Sequence, residues 1–353
     1  MKENKSLYCN LIFKQMSLLN NSILKKYDPS GMHKVYDMWP EIASRSYESQ
    51  KDKIDFKNID HIIFAGMGGS GAIGDIFSSI LSKTGIHVCV VKGYLLPKTV
   101  DSNTLIVTTS VSGNTAETMT VLDSAAKLDA KIIAFSSGGK MLRYCTKNKI
   151  EHRKIEMMHS PRASLVTFFY SMLGVLGSTI PIKKQDINES LKQLGELQKK
   201  ISSSNLTKTN PSLDLAGWIS GIPLIYYPWG LQSAAIRFKS SLQENAKFHA
   251  MAEDVIEACH NGIVAWEKKD NVKPILLEGQ DDYVKTKERW KILKEYFEKN
   301  KIEYKEVFST RGSILTKLIH LIYLLDYATI YLAVSLKRDP SPIDSIDFIK
   351  TRL

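Results

Sequence analysis

The chain has 353 residues, 43% of them hydrophobic, which suffices for two domains with their own cores and excludes a largely disordered protein. Lys and Arg number 48 against 37 Asp and Glu, and the formal charge of +11 favours polyanions and phosphorylated metabolites in a general way. The bases are diluted with acids along helical stretches such as 285–301, with no dense basic run or nucleic-acid module, so nucleic acid is not an expected partner.

From the amino terminus, residues 7–13 form an apolar run too short, and too interrupted by Asn10, for a secretory segment; Met16 offers a second start, and function is expected to survive removal of what precedes it. Cys9, Cys89, Cys145 and Cys259 form neither a CxxC pair nor a Cys/His metal spacing, which fits reduced thiols in a cytosol and no metal centre. Residues 61–65 read as a buried strand, followed by Gly66-Met67-Gly68-Gly69-Ser70-Gly71 and an apolar helix over 72–81. Strands at 87–91, 104–108 and 131–135 and an amphipathic helix at 116–128 follow, and Pro161 opens an apolar helix. Strands alternating with helices imply an α/β fold with a parallel sheet covered on both faces, an α/β/α sandwich of the flavodoxin-like kind.

Residues 185–200 are polar at helical spacing and 202–212 are of linker type. The pattern then restarts: strand 222–227, a Pro-Trp-Gly turn, helix 231–246, strands 274–277 and 304–308 around a charged helix 283–300, and a long apolar helix 313–336. The architecture reads as duplicated, though the sequence does not. The expected organisation is an extension and lead-in helix over 1–45, a first domain over 46–183, a helical linker over 184–212, a second domain over 213–338 and a tail over 339–353. The apolar stretch 164–180 is shorter than a bilayer span, and 318–336 carries His320 and Asp326, so both are expected to be buried rather than in a membrane.

The glycine turn after the first strand leaves room for an anion to approach the backbone, and Ser70 adds a hydroxyl. The same residues satisfy G-x-G-x-x-G, but the acidic residue that would hold a ribose about twenty positions on is replaced by Val91-Lys92-Gly93, which weakens an NAD site and leaves NADP open. A second strand-to-helix turn, Thr109-Ser110-Val111-Ser112-Gly113-Asn114-Thr115, supplies four hydroxyl residues and a glycine. Thr115 stands where a helix cap would, but a cap needs one hydroxyl and this turn has several.

GMGGSG followed by SVSGNTAET resembles the sugar-isomerase (SIS) domain signature, and the chain from about Tyr36 to Leu353 resembles the bifunctional phosphoglucose/phosphomannose isomerases. That resemblance implies two SIS domains in tandem, a homodimer, a sugar-phosphate substrate, no metal and no redox cofactor. It implies that Ser70, Ser110, Ser112 and Thr115 bind the phosphate with the Gly69 backbone. It further implies that Glu244 in Gln243-Glu244-Asn245 is the base, that His260 opens the sugar ring from across the dimer interface, and that Lys350 enters the site from the tail.

The residues themselves support these roles unequally. Ala234, Ala235, Phe238 and Leu242 form an apolar stripe, leaving Arg237, Ser241 and Glu244 on another face, which by pattern alone reads as solvated. His260 reads as a loop residue after a helix, with no orienting carboxylate adjacent in sequence. Ser160-Pro161 reads as a helix start, which puts Arg162 in the first turn, where the dipole disfavours a cation by about 0.3–1 kcal/mol. A nearby anion is therefore expected: the resemblance implies the developing enediolate, and the alternative is a structural carboxylate. The expected reaction is aldose-ketose isomerisation through a cis-enediol; the alternatives are a non-catalytic SIS module that binds a sugar phosphate, although no helix-turn-helix precedes the first unit, and an NADP-dependent dehydrogenase.

Overall fold

The structure, a computed structural model, describes residues 19–50, 52–268 and 270–352; Cys9, Met16 and the stretch expected to be dispensable lie outside the described residues. Three helices come first: α1 (Asn21–Tyr27), α2 (Met32–Asp37) and α3 (Trp39–Glu48). The first series of strands and helices follows as β1 (His61–Ala65), α4 (Gly68–Leu81), β2 (His87–Val91), β3 (Thr104–Ser110), α5 (Ala116–Ala125), β4 (Lys131–Ser136), α6 (Gly139–Asn148), β5 (Glu151–Lys154) and α7 (Leu165–Val175). Helices α8 (Lys184–Ile201) and α9 (Pro211–Trp218) lead to β6 (Ile222–Tyr227), α10 (Gln232–Ser241), β7 (Met251–Asp254), α11 (Val255–Ala258), β8 (Val272–Glu278), α12 (Val284–Lys299), β9 (Lys305–Phe308), α13 (Ile314–Ser335) and α14 (Asp344–Lys350). The chain divides into two compact units, one of Met38–Leu191 with Asp344–Leu353, the other of the residues up to Asp37 with Lys192–Ile343.

In the first unit all five strands are parallel, in the order β2-β1-β3-β4-β5. Every residue of β1 and β3 is buried, as befits central strands with helices on both faces. Side-chain alternation sorts β1 between two cores. Phe64 stacks on Phe77 of α4 at 4.8 Å, and Phe77 meets Phe169 of α7 at 5.1 Å. Ile63 and Ala65 face the other way, against Val91, Ile106, and Val121 and Ala125 of α5. Each fully buried Phe or Ile contributes about 1.5–3 kcal/mol of transfer free energy. The order 2-1-3-4-5 is the flavodoxin-like one, whose switch point lies between β1 and β3 and opens a crevice at their carboxyl ends.

The second unit repeats this order with one strand fewer, β7-β6-β8-β9, again all parallel. Tyr226 and Leu276 pack on Val255 of α11 and on Trp290, Leu293 and Phe297 of α12. On the other side α13 packs against α2, α9 and α10. It is long and apolar enough to cross a membrane, but 94% of its most apolar window is buried, so it is a core helix as expected. Ser313 caps it, its hydroxyl accepting from the Thr316 amide at 3.2 Å.

Two helix starts and ends differ from expectation. Pro161 opens not the helix but a separate turn over 161–164, and α7 begins at Leu165 with Ser164 at its N-cap position. The Ser164 hydroxyl accepts from the Met158 amide at 2.8 Å and bonds to the carbonyls of Met158 and Ser160 at 2.9 and 2.8 Å, closing that turn before the helix starts. The single helix expected over 231–246 is three pieces: a short 3-10 turn over Trp229–Leu231, α10, and a π turn over Leu242–Ala246.

Candidate active site

The two turns at the carboxyl ends of β1 and β3 are joined directly. The Ser70 hydroxyl, in the first turn of α4, accepts from the backbone amide of Val111 at 3.3 Å. Gly66 and Gly71 permit the approach: a Cβ on Gly66 would lie 2.9 Å from the Thr109 carbonyl oxygen, and one on Gly71 would lie 2.7 Å from that of Gly66. No side chain caps α4; the Ser70 and Gly71 amides donate to Met67 O at 3.0 and 3.2 Å, and the Gly68 and Gly69 amides before them stand at a helix start of the kind that binds anions. In the second turn the Ser110 and Thr115 hydroxyls bond to each other at 2.9 Å, and Ser112 accepts from the Asn114 amide at 3.3 Å. Thr115 stands at the N-cap position of α5 but makes no capping bond, because its hydroxyl is turned to Ser110. Ser70 and Ser110 are buried, Gly69 and Thr115 half-buried, and Ser112 exposed. Lys92, the residue that left NADP open, pairs with Asp75 of α4 at 2.5 Å. Burial raises the Asp75 pKa despite that lysine.

A third turn, Ser136-Ser137-Gly138-Gly139, carries the same signature of serines and glycines after a strand and was not singled out in the sequence. It braces the second turn: the Ser137 amide donates to Val111 O at 2.9 Å, the Met141 amide to Gly113 O at 2.9 Å, and the Lys140 amide to Asn114 Oδ1 at 3.0 Å. Gly113 holds φ +69°, and a Cβ there would collide with the Gly138 carbonyl, so this position requires glycine.

Arg162 belongs to the same unit, in the turn that precedes α7, and is only 3% exposed. Because the helix starts only at Leu165, Arg162 is not in its first turn and the helix dipole gives no reason for a nearby anion; it is the burial of the guanidinium that calls for hydrogen-bonding or anionic partners. Lys350 is the exposed last residue of α14. Glu244 and His260 lie in the other unit. His260 is exposed in the turn after α11, its amide bonded to Glu257 O at 2.9 Å. Glu244 is half-buried in the π turn. The face expected to be solvated is not: Arg237 and Ser241 are 3% and 1% exposed, because Asp326 of α13 binds both.

Two family descriptions match the chain, the SIS domain over residues 55–176 and the bacterial phospho-glucose isomerase C-terminal SIS domain over residues 208–353. A bifunctional phosphoglucose/phosphomannose isomerase of Caldicellulosiruptor bescii is 32% identical over 336 residues, spanning 90% of this chain and 97% of that protein. The chain belongs to the bifunctional phosphoglucose/phosphomannose isomerase family. A second such isomerase, from Thermoplasma acidophilum, is 28% identical over 320 residues, covering 88% of this chain and 97% of that protein. Among solved structures, a hypothetical protein of Thermus thermophilus superimposes with a TM-score of 0.71 at 14% identity, over 99% of this chain and 96% of that one, a likeness of fold.

The two parallel-sheet units are therefore two SIS domains, and the joined hydroxyl turns of the first lie within the residues matched as an SIS domain. Sequence reasoning missed the π turn and the Asp326 network in the second. The only signal for either was a charged residue inside the most apolar segment of the chain.

Proposed function

We propose that this sugar-phosphate isomerase interconverts glucose 6-phosphate and mannose 6-phosphate with fructose 6-phosphate, as a cytosolic homodimer. The observation that carries the reading is the pair of strand-end turns bonded through Ser70 and Val111, which offers serine and threonine hydroxyls and open helix amides to a phosphate. The names of the relatives support the hexoses. In this reading Ser70, Ser110, Ser112, Thr115 and the Gly69 amide hold the phosphate. His260, supplied across the dimer interface, assists ring opening by moving a proton to the ring oxygen. Glu244 then takes the proton from C2 of the open aldose; the C2–H electron pair becomes the C1–C2 double bond of a cis-enediol as O1 gains a proton. Return of a proton to C1, with loss of one from O2, gives the ketose. Arg162 and Lys350 supply positive charge for the enediolate.

The test is a coupled assay of the purified chain with each of the three hexose phosphates. Turnover linking fructose 6-phosphate to both aldoses is expected. Activity with one aldose alone would retract the bifunctional assignment and keep the isomerase class; no turnover with either would overturn the reading.

A further inference from the structure

The π turn over Leu242–Ala246 is clamped from α13. Asp326 accepts from Arg237 Nε at 3.0 Å and Nη2 at 2.7 Å, from the Ser241 hydroxyl at 2.6 Å and from the Tyr36 hydroxyl at 3.1 Å. Three residues on, Thr329 Oγ1 accepts from Asn245 Nδ2 at 2.9 Å and donates to the Asp326 carbonyl at 2.7 Å. Asp326 and Thr329, on one face of the helix, thus grip Ser241 and Asn245, which bracket Leu242-Gln243-Glu244. The far end is fixed as well. Arg338 donates to Ala246 O at 3.0 Å, and Lys247, at φ +58°, spans Glu244 O at 2.5 Å and Pro342 O at 2.7 Å. The Lys247 amide turns back five residues to Leu242 O, the wide ring that makes this a π rather than an α turn, and the Phe248 amide donates to the same carbonyl.

Asp326 is fully buried, and Arg237 nearly so. Burial opposes the Arg237 charge, but Asp326 above all, with smaller contributions from Tyr36 and Glu244, raises its pKa above the usual value. A buried ion pair is weak as a source of stability, since well-packed apolar residues serve as well, and its better-attested use is to fix a register. Here the register in question is that of a helix end, which can continue as α or widen to π. An α continuation would rotate residue 244 relative to the helix axis and lift Asn245 off Thr329.

We propose that Asp326 and Thr329 are positioning residues that hold the π register and thereby the direction of the Glu244 carboxylate. The inference rests on the reading of Glu244 as the base. It explains an acidic side chain and a threonine in the centre of a predominantly apolar helix.

The test uses Asp326→Asn and the near-isosteric Thr329→Val in the full chain, with fructose 6-phosphate as substrate and melting temperatures recorded to keep the assay below unfolding. The expected result is a fall in kcat of about tenfold or more for Asp326→Asn and more than threefold for Thr329→Val, with KM within about twofold, as a misaimed base predicts. If Asp326→Asn does not fold, Ser241→Ala replaces it under the threefold criterion. A kcat within threefold of the parent in both folded variants, or a loss carried by KM, overturns the proposal and leaves the network merely structural. Glu244→Gln is measured alongside: undiminished turnover there sinks the base assignment itself, which separates that failure from failure of the positioning role.

Discussion

Ser110 is buried beside Thr115 at the mouth of the crevice, where its hydroxyl bonds to the neighbouring hydroxyl and has no helix to cap. If the pair receives a phosphate, Ser110→Ala removes one charge-assisted hydrogen bond, worth about 1.5–3 kcal/mol. Fructose 6-phosphate KM is then expected to rise about tenfold or more while kcat stays within about threefold, measured by initial rates. A kcat collapse with unchanged KM would assign Ser110 to the chemistry instead. These hydroxyls were legible in the sequence because their signal is local, a cluster of small polar residues directly after a buried strand. Arg237 and Ser241 were not legible, because polar side chains on one helix face read as solvated until their partner is known. That partner, Asp326, stands 89 positions after Arg237.

Among the elements, β1 and β3 were readable because a strand buried on both faces is a continuous β-branched and apolar run. Strand β5, Glu151–Lys154, was not: its sequence is Glu-His-Arg-Lys, and it is a strand only because β4 offers it an edge. The same holds for β7, Met251–Asp254, on the outer edge of the second sheet. The π turn lies further out of reach, since its register is decided by tertiary contacts from α13 and not by propensity. In the second sheet, Glu278 at the end of β8 and Glu306 in β9 share one lysine: Lys294 of α12 reaches Glu278 at 3.2 Å and Glu306 at 2.7 Å. Burial pushes the Glu278 carboxyl up from 4.5 to about 7; Lys294 opposes the rise and Glu306 adds to it. A raised carboxyl pKa means the folded state binds the proton more tightly. The stabilisation is complete below about pH 4.5 and is lost as pH rises through about 7. Glu278→Gln is therefore expected to show a smaller drop in melting temperature between pH 5 and pH 8 than the parent, by differential scanning fluorimetry. An equal or larger drop would remove Glu278 as the source.

At the scale of the whole chain, two sheets of the same strand order carry different chemistry at their switch points. In the first SIS domain the turns after β1 and β3 are glycine and hydroxyl residues. In the second, the equivalent turns after β6 and β8 read Pro228-Trp229-Gly230 and Gly279-Gln280-Asp281, which carry an indole and a carboxylate in place of the cluster of serine and threonine hydroxyls. Duplication of the fold was legible from the repeated alternation of strands and helices, and this divergence from the turn residues alone. It supports the proposed placing of the phosphate in the first domain, with the proposed acid-base groups furnished by the second. The most direct test of that account is proton exchange during turnover in deuterated water. A cis-enediol mechanism with Glu244 as base predicts deuterium at C2 of the aldose formed from fructose 6-phosphate and at C1 of recovered ketose, both lost in Glu244→Gln. Turnover in the parent without deuterium at either carbon would contradict it.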